Sequence, residues 1–343
     1  MIPFNDSKKL VAVLENKIIS IQDLAKFGAV ETLNDQALTL VEQQKSTWET
    51  AARNYHAIHR LQTRTFDFGH FQIIAQFNAE RIRSSAAKTD ATSIAGRPCF
   101  LCLGNLPPEQ KGILFQNKYL ILANPYPIFH QHLTISKTEH TPQEIYPHFA
   151  DLLDLSRNLP GFTIFYNGPQ CGASAPDHFH FQAVIKKELP VEKEFEILEN
   201  EFAETLFQTE KTKVIAVENY LRRMIAFISD DKNEIRENFE KIYKASGTQN
   251  GEEPMMNILC NFENEKWRVI IFPRGKQRPS HFFETGEKQI IVSPAAVEMG
   301  GILVLPREND FRKITKNNIA EICNEVTIDN EKFEILIHSI NKL

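Results

Sequence analysis

No apolar run in this 343-residue chain approaches the roughly 20 residues that a membrane-spanning helix requires, so a bilayer-embedded protein is not expected. Its first residues, Met1-Ile2-Pro3-Phe4-Asn5-Asp6, lack the charged and apolar regions of a secretory leader, which leaves a cytoplasmic location as the expectation. Excess basic charge is missing too. A net charge of -5 argues against a broad nucleic-acid-binding face, and any attraction for phosphate has to come from local groups. Five cysteines, two of them close together, fit reduced thiols or a metal better than a disulfide framework. What is present, 42% hydrophobic and 24% charged residues, is the balance of an ordinary globular protein, and the length suits one large or two ordinary domains.

Chemistry concentrates in one stretch, Asn167-Gly168-Pro169-Gln170-Cys171-Gly172-Ala173-Ser174 followed by Ala175-Pro176-Asp177-His178-Phe179-His180-Phe181-Gln182. It reads as a glycine- and proline-punctuated loop feeding an extended run. Successive strand side chains point to opposite faces, so His178, His180 and Gln182 share one face while Phe179, Phe181 and Ala183 enter a core. A neutral imidazole is a good nucleophile near pH 7, and its second ring nitrogen can donate to a carbonyl that fixes tautomer and orientation. The loop before it offers glycine amides, the Asn167 side chain and the Ser174 hydroxyl for phosphate oxygens. An isolated His-x-His has a plainer reading, as buried strand residues or as two ligands of a metal.

The pattern Asn-Gly…Gly-x-Ser…His-x-His-x-Gln resembles the histidine-triad superfamily, in the branch of galactose-1-phosphate uridylyltransferase, diadenosine tetraphosphate phosphorylase and GDP-L-galactose phosphorylase. The resemblance implies that His180 attacks an α-phosphorus and becomes nucleotidylated. Gln182 stands where the hydrolases of the superfamily carry a third histidine; an amide cannot relay a proton, so the covalent nucleotide waits for a phosphate-bearing acceptor. Ser174, Asn167, Gly168 and Gly172 would steady the donor's phosphate oxygens. Asn78-Ala79-Glu80-Arg81 resembles the Asn-x-x-Arg element that helps hold the nucleotide in this branch, with Ala79 where relatives often have proline. It adds Asn78 and Arg81 to the binding set, with Arg83 and Lys88 as further basic candidates and solvated surface charge as the other reading.

Cys99-Phe100-Leu101-Cys102 can be a redox pair, half a zinc site or chance. A thioredoxin-like site expects Gly-Pro between the cysteines, where Phe-Leu stands. Two thiolates need two more ligands for a closed tetrahedral zinc site, and His140 and His178 are the candidates, with His130 and His132 competing for the third place. The resemblance favours Cys99, Cys102, His140 and His178, because some uridylyltransferases and many bacterial histidine-triad proteins bind zinc with these types in this order. It implies a structural zinc.

Around the motif, a helix is expected over residues 34–59, a hairpin over 65–77, a strand at 162–166 and a helix over 142–157, and the stretches 119–127 and 132–140 resemble the two central strands of the histidine-triad fold, with His140 just past the second. Further on come a helix over 194–207, strands at 214–217 and 224–228, a helix over 231–243, a loop over 247–254, and strands at 255–262 and 267–274. The tail, Phe272-Pro273-Arg274 and Ser293-Pro294 through Leu305, resembles the C-terminal halves of the dinucleoside and GDP-hexose phosphorylases, a second unit without a nucleophile; Arg274 joins the expected nucleotide- and phosphate-binding set, in a basic cluster with Lys276 and Arg278 that either faces the cleft or is solvated.

The fold expected is α+β, with two histidine-triad-like halves, each an antiparallel sheet flanked by helices, the second half degenerate. By chain order this gives an N-terminal helical segment (1–60), a catalytic half (61–193) and a C-terminal half (194–343). The function expected is a nucleotidyltransferase, in first place a nucleoside-diphosphate-hexose phosphorylase. Hexose-1-phosphate uridylyltransferase, dinucleoside polyphosphate phosphorylase and a non-catalytic nucleotide-binding protein are the alternatives. Its partners are then a nucleotide-sugar or dinucleotide and phosphate, with no nucleic acid and no membrane, and a homodimer is compatible with this reading.

Overall fold

The computed structural model describes residues 12–82, 91–247 and 252–341. Along the chain the strands begin with β1 (Gln62–Asp67), β2 (Gln72–Phe77), β3 (Gly112–Phe115), β4 (Tyr119–Ala123), β5 (His132–Lys137), β6 (Phe162–Asn167) and β7 (His180–Ile185). They continue with β8 (Ala203–Gln208), β9 (Thr212–Val217), β10 (Met224–Ser229), β11 (Met256–Glu263), β12 (Lys266–Pro273) and β13 (Ile302–Leu305). Two compact units interleave in sequence. The first gathers residues 1–60, 88–143 and 175–185, the second residues 61–87, 144–174 and 186–343. The class is α+β, as expected, with antiparallel sheets flanked by helices.

In the first unit the strands run β3-β4-β5-β7, each pair antiparallel. Helices α1 (Leu33–Thr47) and α2 (Glu49–Ile58) pack in this unit. One continuous helix was expected over 34–59, but the chain turns extended at Trp48 (φ -128°, ψ 108°), whose N–H still caps α1 on the Gln44 carbonyl. The indole is buried, and seating it is worth more than the one turn of helix it interrupts. Thr32 and Asp35 form a reciprocal capping box at the start of α1. Leu103, Leu106, Leu120 and Leu122 make one core cluster, and Phe179 and Phe181 pack against Tyr119 as the alternation on β7 requires.

In the second unit one run of strands is β6-β11-β12-β10-β9-β8, all antiparallel neighbours. A separate three-stranded sheet joins the β1–β2 hairpin to β13, which lies parallel to β2. Gly69 turns the hairpin at φ +94°, its N–H held by the Asp67 carboxylate. The helix expected over 194–207 is corrected. Helix α4 (Pro190–Ile197) starts earlier, on a proline suited to a first helical position, while α3 (Phe149–Asn158) starts later than 142. A π-turn over Leu198–Phe202 ends the α4 run, and residues 203–208 become β8 because pairing with β9 overrides their helical spacing. Among the described residues no helix is long and apolar enough to cross a membrane.

One buried carboxyl gives this unit a pH response. Glu253 accepts from the Tyr166 hydroxyl and from the Ile145 N–H (2.7 Å), and burial pushes it up to about 7. Its proton is held more tightly folded than unfolded, so the stability it contributes is complete below about pH 4.5 and lost as the pH rises through about 7. Urea midpoints taken at pH 5 and pH 8 are expected to differ by about 2–3 kcal/mol more in the wild type than in Glu253→Gln, with the wild type weaker at pH 8. Equal pH slopes in the two proteins would contradict this assignment.

Candidate active site

Strand β7 carries the histidine row, and its register on β5 pairs His180 with Ser136 and Gln182 with Thr134. His178 and His180 are both buried, the latter 4% exposed. The tautomer of His180 follows from its partner. Nδ1 lies 2.9 Å from the His178 carbonyl, which can only accept, so Nδ1 carries the proton and Nε2 keeps its lone pair. Burial pushes the imidazole down to about 4, against the raising effect of that carbonyl.

The amide of Gln182 is oriented by a chain of partners the motif does not reveal. The Ile128 N–H donates to His132 Nδ1 at 3.2 Å, which leaves the His132 proton on Nε2. That proton is donated to Gln182 Oε1 at 2.9 Å, so the oxygen of the amide is committed and its NH2 occupies the other branch. Tyr55 donates to the His132 carbonyl at 2.8 Å, and Asn124 donates to Thr134 Oγ1 at 3.0 Å. His132 thus orients Gln182 and is not among the clustered metal-type ligands.

The four residues expected to hold a metal, Cys99, Cys102, His140 and His178, do lie together. One donor atom each from Cys99, Cys102, His140 and His178 lies within 4.8 Å of all the others. Cys99 Sγ to His178 Nδ1 is 3.4 Å, Cys102 Sγ to His140 Nδ1 is 3.2 Å, Cys102 Sγ to His178 Nδ1 is 3.6 Å, and the two Nδ1 atoms are 3.3 Å apart. A tetrahedron with about 2.3 Å Zn–S and about 2.05 Å Zn–N bonds has edges of roughly 3.3–3.8 Å, so the donor set fits zinc. On its other nitrogen, His178 donates Nε2–H to the Lys137 carbonyl at 2.8 Å beside Ser136 Oγ, which leaves Nδ1 as the ligand atom. Burial pushes the Cys99 thiol up to about 12, whereas a bound dication takes thiolates. The Arg97–Asp177 pair, 3.1 Å, ties the cysteine loop to the histidine loop.

Most of the remaining candidates belong to the second unit, where Asn257, a residue not singled out in the sequence, ties two of them together. Asn257 Nδ2 donates to Asn167 Oδ1 (3.0 Å) and to the Cys171 carbonyl (2.8 Å), and its Oδ1 accepts from Arg274. Asn167 Oδ1 also accepts from the Ala296 N–H at 2.8 Å. Gly172 sits at φ +94°, and a Cβ there would come within 2.5 Å of the Ala295 Cβ, so backbone conformation and packing both require glycine. Gly168 donates its N–H to the Met256 carbonyl. Ser174 is partly buried and is the last residue of this unit before the chain passes into the first. Asn78 is buried with its N–H on the Leu305 carbonyl, and Arg81 follows on a short 3-10 turn. Arg83 and Lys88 lie outside the described residues.

Arg274 has its fork filled. Nε donates to the Val326 carbonyl (2.9 Å), one terminal nitrogen to Asn257 Oδ1 (2.5 Å) and the Pro294 carbonyl (2.8 Å), the other to the Lys276 and Gln277 carbonyls. It stitches the C-terminal segment together, a role the basic cluster in the sequence does not disclose. Arg274→Met strands these buried acceptors and is expected to cost about 3–5 kcal/mol, read from the urea midpoint. A loss below about 1 kcal/mol would show that the stitching is unimportant.

A surface cavity of about 490 Å3 elsewhere in the second unit lies among Ser280, His281, Glu287, Lys288 and Lys313, and includes none of the candidate residues.

Two domain families match the chain. Residues 40–185 match a domain of unknown function (DUF4922), and residues 197–343 match the GDPGP1-like C-terminal domain. Among solved structures, yeast Ap4A phosphorylase Apa2 in complex with Ap4A is similar over 88% of this chain and 99% of its own, with a TM-score of 0.56 at 12% identity. A second crystal structure of yeast Ap4A phosphorylase Apa2 gives a TM-score of 0.52 over 83% and 94% of the two chains, again at 12% identity. Its complex with AMP gives 0.50 over 83% and 96%, also at 12% identity. No curated protein sequence matches significantly.

Proposed function

For a chain whose residues 197–343 match the GDPGP1-like C-terminal domain and whose fold is that of the histidine-triad Ap4A phosphorylase, we propose a nucleotidyltransferase that works through His180. The observation that carries this reading is the bond from His180 Nδ1 to the His178 carbonyl, because it leaves Nε2 as an unprotonated nucleophile on a rigid strand. The Nε2 lone pair attacks the α-phosphorus of the donor. A P–N bond forms as the bond to the bridging oxygen breaks, and that oxygen leaves with the rest of the donor. In the second half an oxygen of inorganic phosphate attacks the same phosphorus and the P–N bond breaks, freeing Nε2.

Gln182 supports the transfer as a donor. With its oxygen committed to His132, the NH2 branch hydrogen-bonds the phosphoryl oxygens of the intermediate, a contribution of about 2.7–4 kcal/mol if it acts as other positioned donors do. Because an amide cannot act as a general base on water, and the ring beside it is 4% exposed, hydrolysis is disfavoured against transfer to phosphate. Asn167, Gly168, Gly172 and Ser174 are the proposed phosphate cradle, with Asn78 and Arg81 on the nucleotide. Zinc is the metal proposed for Cys99, Cys102, His140 and His178; four protein ligands close its coordination, so its part is to fix the loops and not to do chemistry.

The donor proposed first is a nucleoside diphosphate hexose, giving nucleoside diphosphate and hexose 1-phosphate, in keeping with the GDPGP1-like domain. A dinucleoside polyphosphate is the second reading, favoured by the likeness to an enzyme solved with Ap4A. Incubation with GDP-, UDP- and ADP-hexoses and with dinucleoside polyphosphates, followed by intact-mass measurement with and without phosphate or hexose 1-phosphate, distinguishes them. The expected result is one nucleoside monophosphate adduct from the true donor that discharges on adding acceptor. Binding without any adduct would instead identify a non-catalytic nucleotide-binding protein.

A further inference from the structure

The main chain of His180 has an unusual partner. Lys137 on β5 donates to the Phe179 carbonyl at 3.0 Å, so by the alternation of an antiparallel ladder the N–H and C=O of His180 point away from β5. On that side the side chain of Gln143 takes both. Its Oε1 accepts the His180 N–H at 2.8 Å and its Nε2 donates to the His180 carbonyl at 2.9 Å. The main chain of His180 has one donor and one acceptor, so this closed pair also fixes which end of the amide is oxygen. Gln143 is 1% exposed, and its own N–H donates to the Pro176 carbonyl at 3.1 Å. Next to it, Thr141 accepts the Phe179 N–H at 2.7 Å.

We infer that Gln143 is the positioning residue of the nucleophile: its side-chain amide takes the place of a strand neighbour at His180 and thereby sets where Nε2 stands. The inference rests on the nucleotidyl transfer proposed above. A helix was expected to begin at Pro142, and it would have carried this side chain elsewhere. Instead residues 142–145 precede the helical turns, and the amide reaches His180 from three residues beyond His140. The ring is then held by its Nδ1 bond and the backbone by the Gln143 pair, so neither can rotate without breaking a buried hydrogen bond. Gln143 touches no reacting atom; it acts through His180.

Two measurements test this. In the first, Gln143→Met keeps the length and apolar volume of the side chain and loses both hydrogen bonds. The rate of adduct formation is expected to fall about 100-fold, as for a nucleophile misplaced by about 1 Å, while donor KM changes less than about threefold. In the second, backbone hydrogen exchange is followed on the unmodified protein, and the His180 amide is expected to exchange as slowly as that of Phe181. Exchange of the His180 amide at the rate of exposed loop amides overturns the inference whether or not the variant folds. An adduct formed by Gln143→Met at the wild-type rate overturns it while leaving the nucleophile intact. Absence of an adduct in the wild type is the separate failure, that of the proposed function.

Discussion

Asparagine in place of His180 is expected to abolish the nucleotidyl adduct and to lower turnover by about 10^4-fold or more, the scale at which losing a covalent nucleophile registers in other enzymes. Asparagine keeps a polar side chain of similar reach but has no nitrogen lone pair able to attack phosphorus. His178 cannot substitute, because its Nε2 proton is donated to the Lys137 carbonyl and its Nδ1 sits among the Cys99, Cys102 and His140 ligand atoms. Gln182 cannot substitute either, since an amide is a poor nucleophile and its oxygen is taken by His132. Donor binding is expected to survive, which a titration with the donor by calorimetry checks. A variant that still accumulates adduct would move the chemistry to another residue.

The second large effect concerns the metal. Structural zinc contributes about 10–16 kcal/mol of apparent binding free energy in small zinc-binding peptides. A three-ligand remnant of a closed site loses a large part of it. Cys99→Ser is therefore expected to retain well under one equivalent of zinc and to melt about 10 °C or more below the wild type, since about 3–5 kcal/mol translates to that shift in a unit of this size. The reason is local. His140 and His178 belong to different loops, Cys99 and Cys102 to a third, and Cys99 packs on Leu101 and Ala175 in the same small cluster. Loss of the proposed zinc would release three loops at once. Elemental analysis and a thermal scan measure both quantities, and a full equivalent of zinc in Cys99→Ser would refute the ligand set.

Much of the first unit was legible because its signals are local. His178-Phe179-His180-Phe181-Gln182 alternates by type, and period-two alternation fixes which residues share a face without any knowledge of the fold. Cys99-x-x-Cys102 with His140 and His178 was legible as a metal set only through the order of residue types in a family, and the distances among the four atoms now suit a tetrahedron. Other features depend on partners far away in sequence. Gln143 acts on His180 and Tyr55 on His132, while Asn257 gathers Asn167 and Arg274, and no spacing along the chain announces such pairs. Residues 203–208 have the composition of a helix and become a strand because β9 lies beside them. Trp48 interrupts a helical pattern because its side chain is buried. Chain order also conceals that the β1–β2 hairpin packs with β13, more than 200 residues later.

Uptake of a nucleoside monophosphate by Nε2 of His180 is the first step proposed. Its most direct test is to form the adduct with the active donor in the absence of phosphate, digest at neutral to alkaline pH, where phosphoramidates persist, and locate the added mass by tandem mass spectrometry. A single modified site at His180, lost on adding phosphate before digestion, is the result predicted. Modification at Ser174, at His178 or at a lysine, with His180 unmodified, would contradict it.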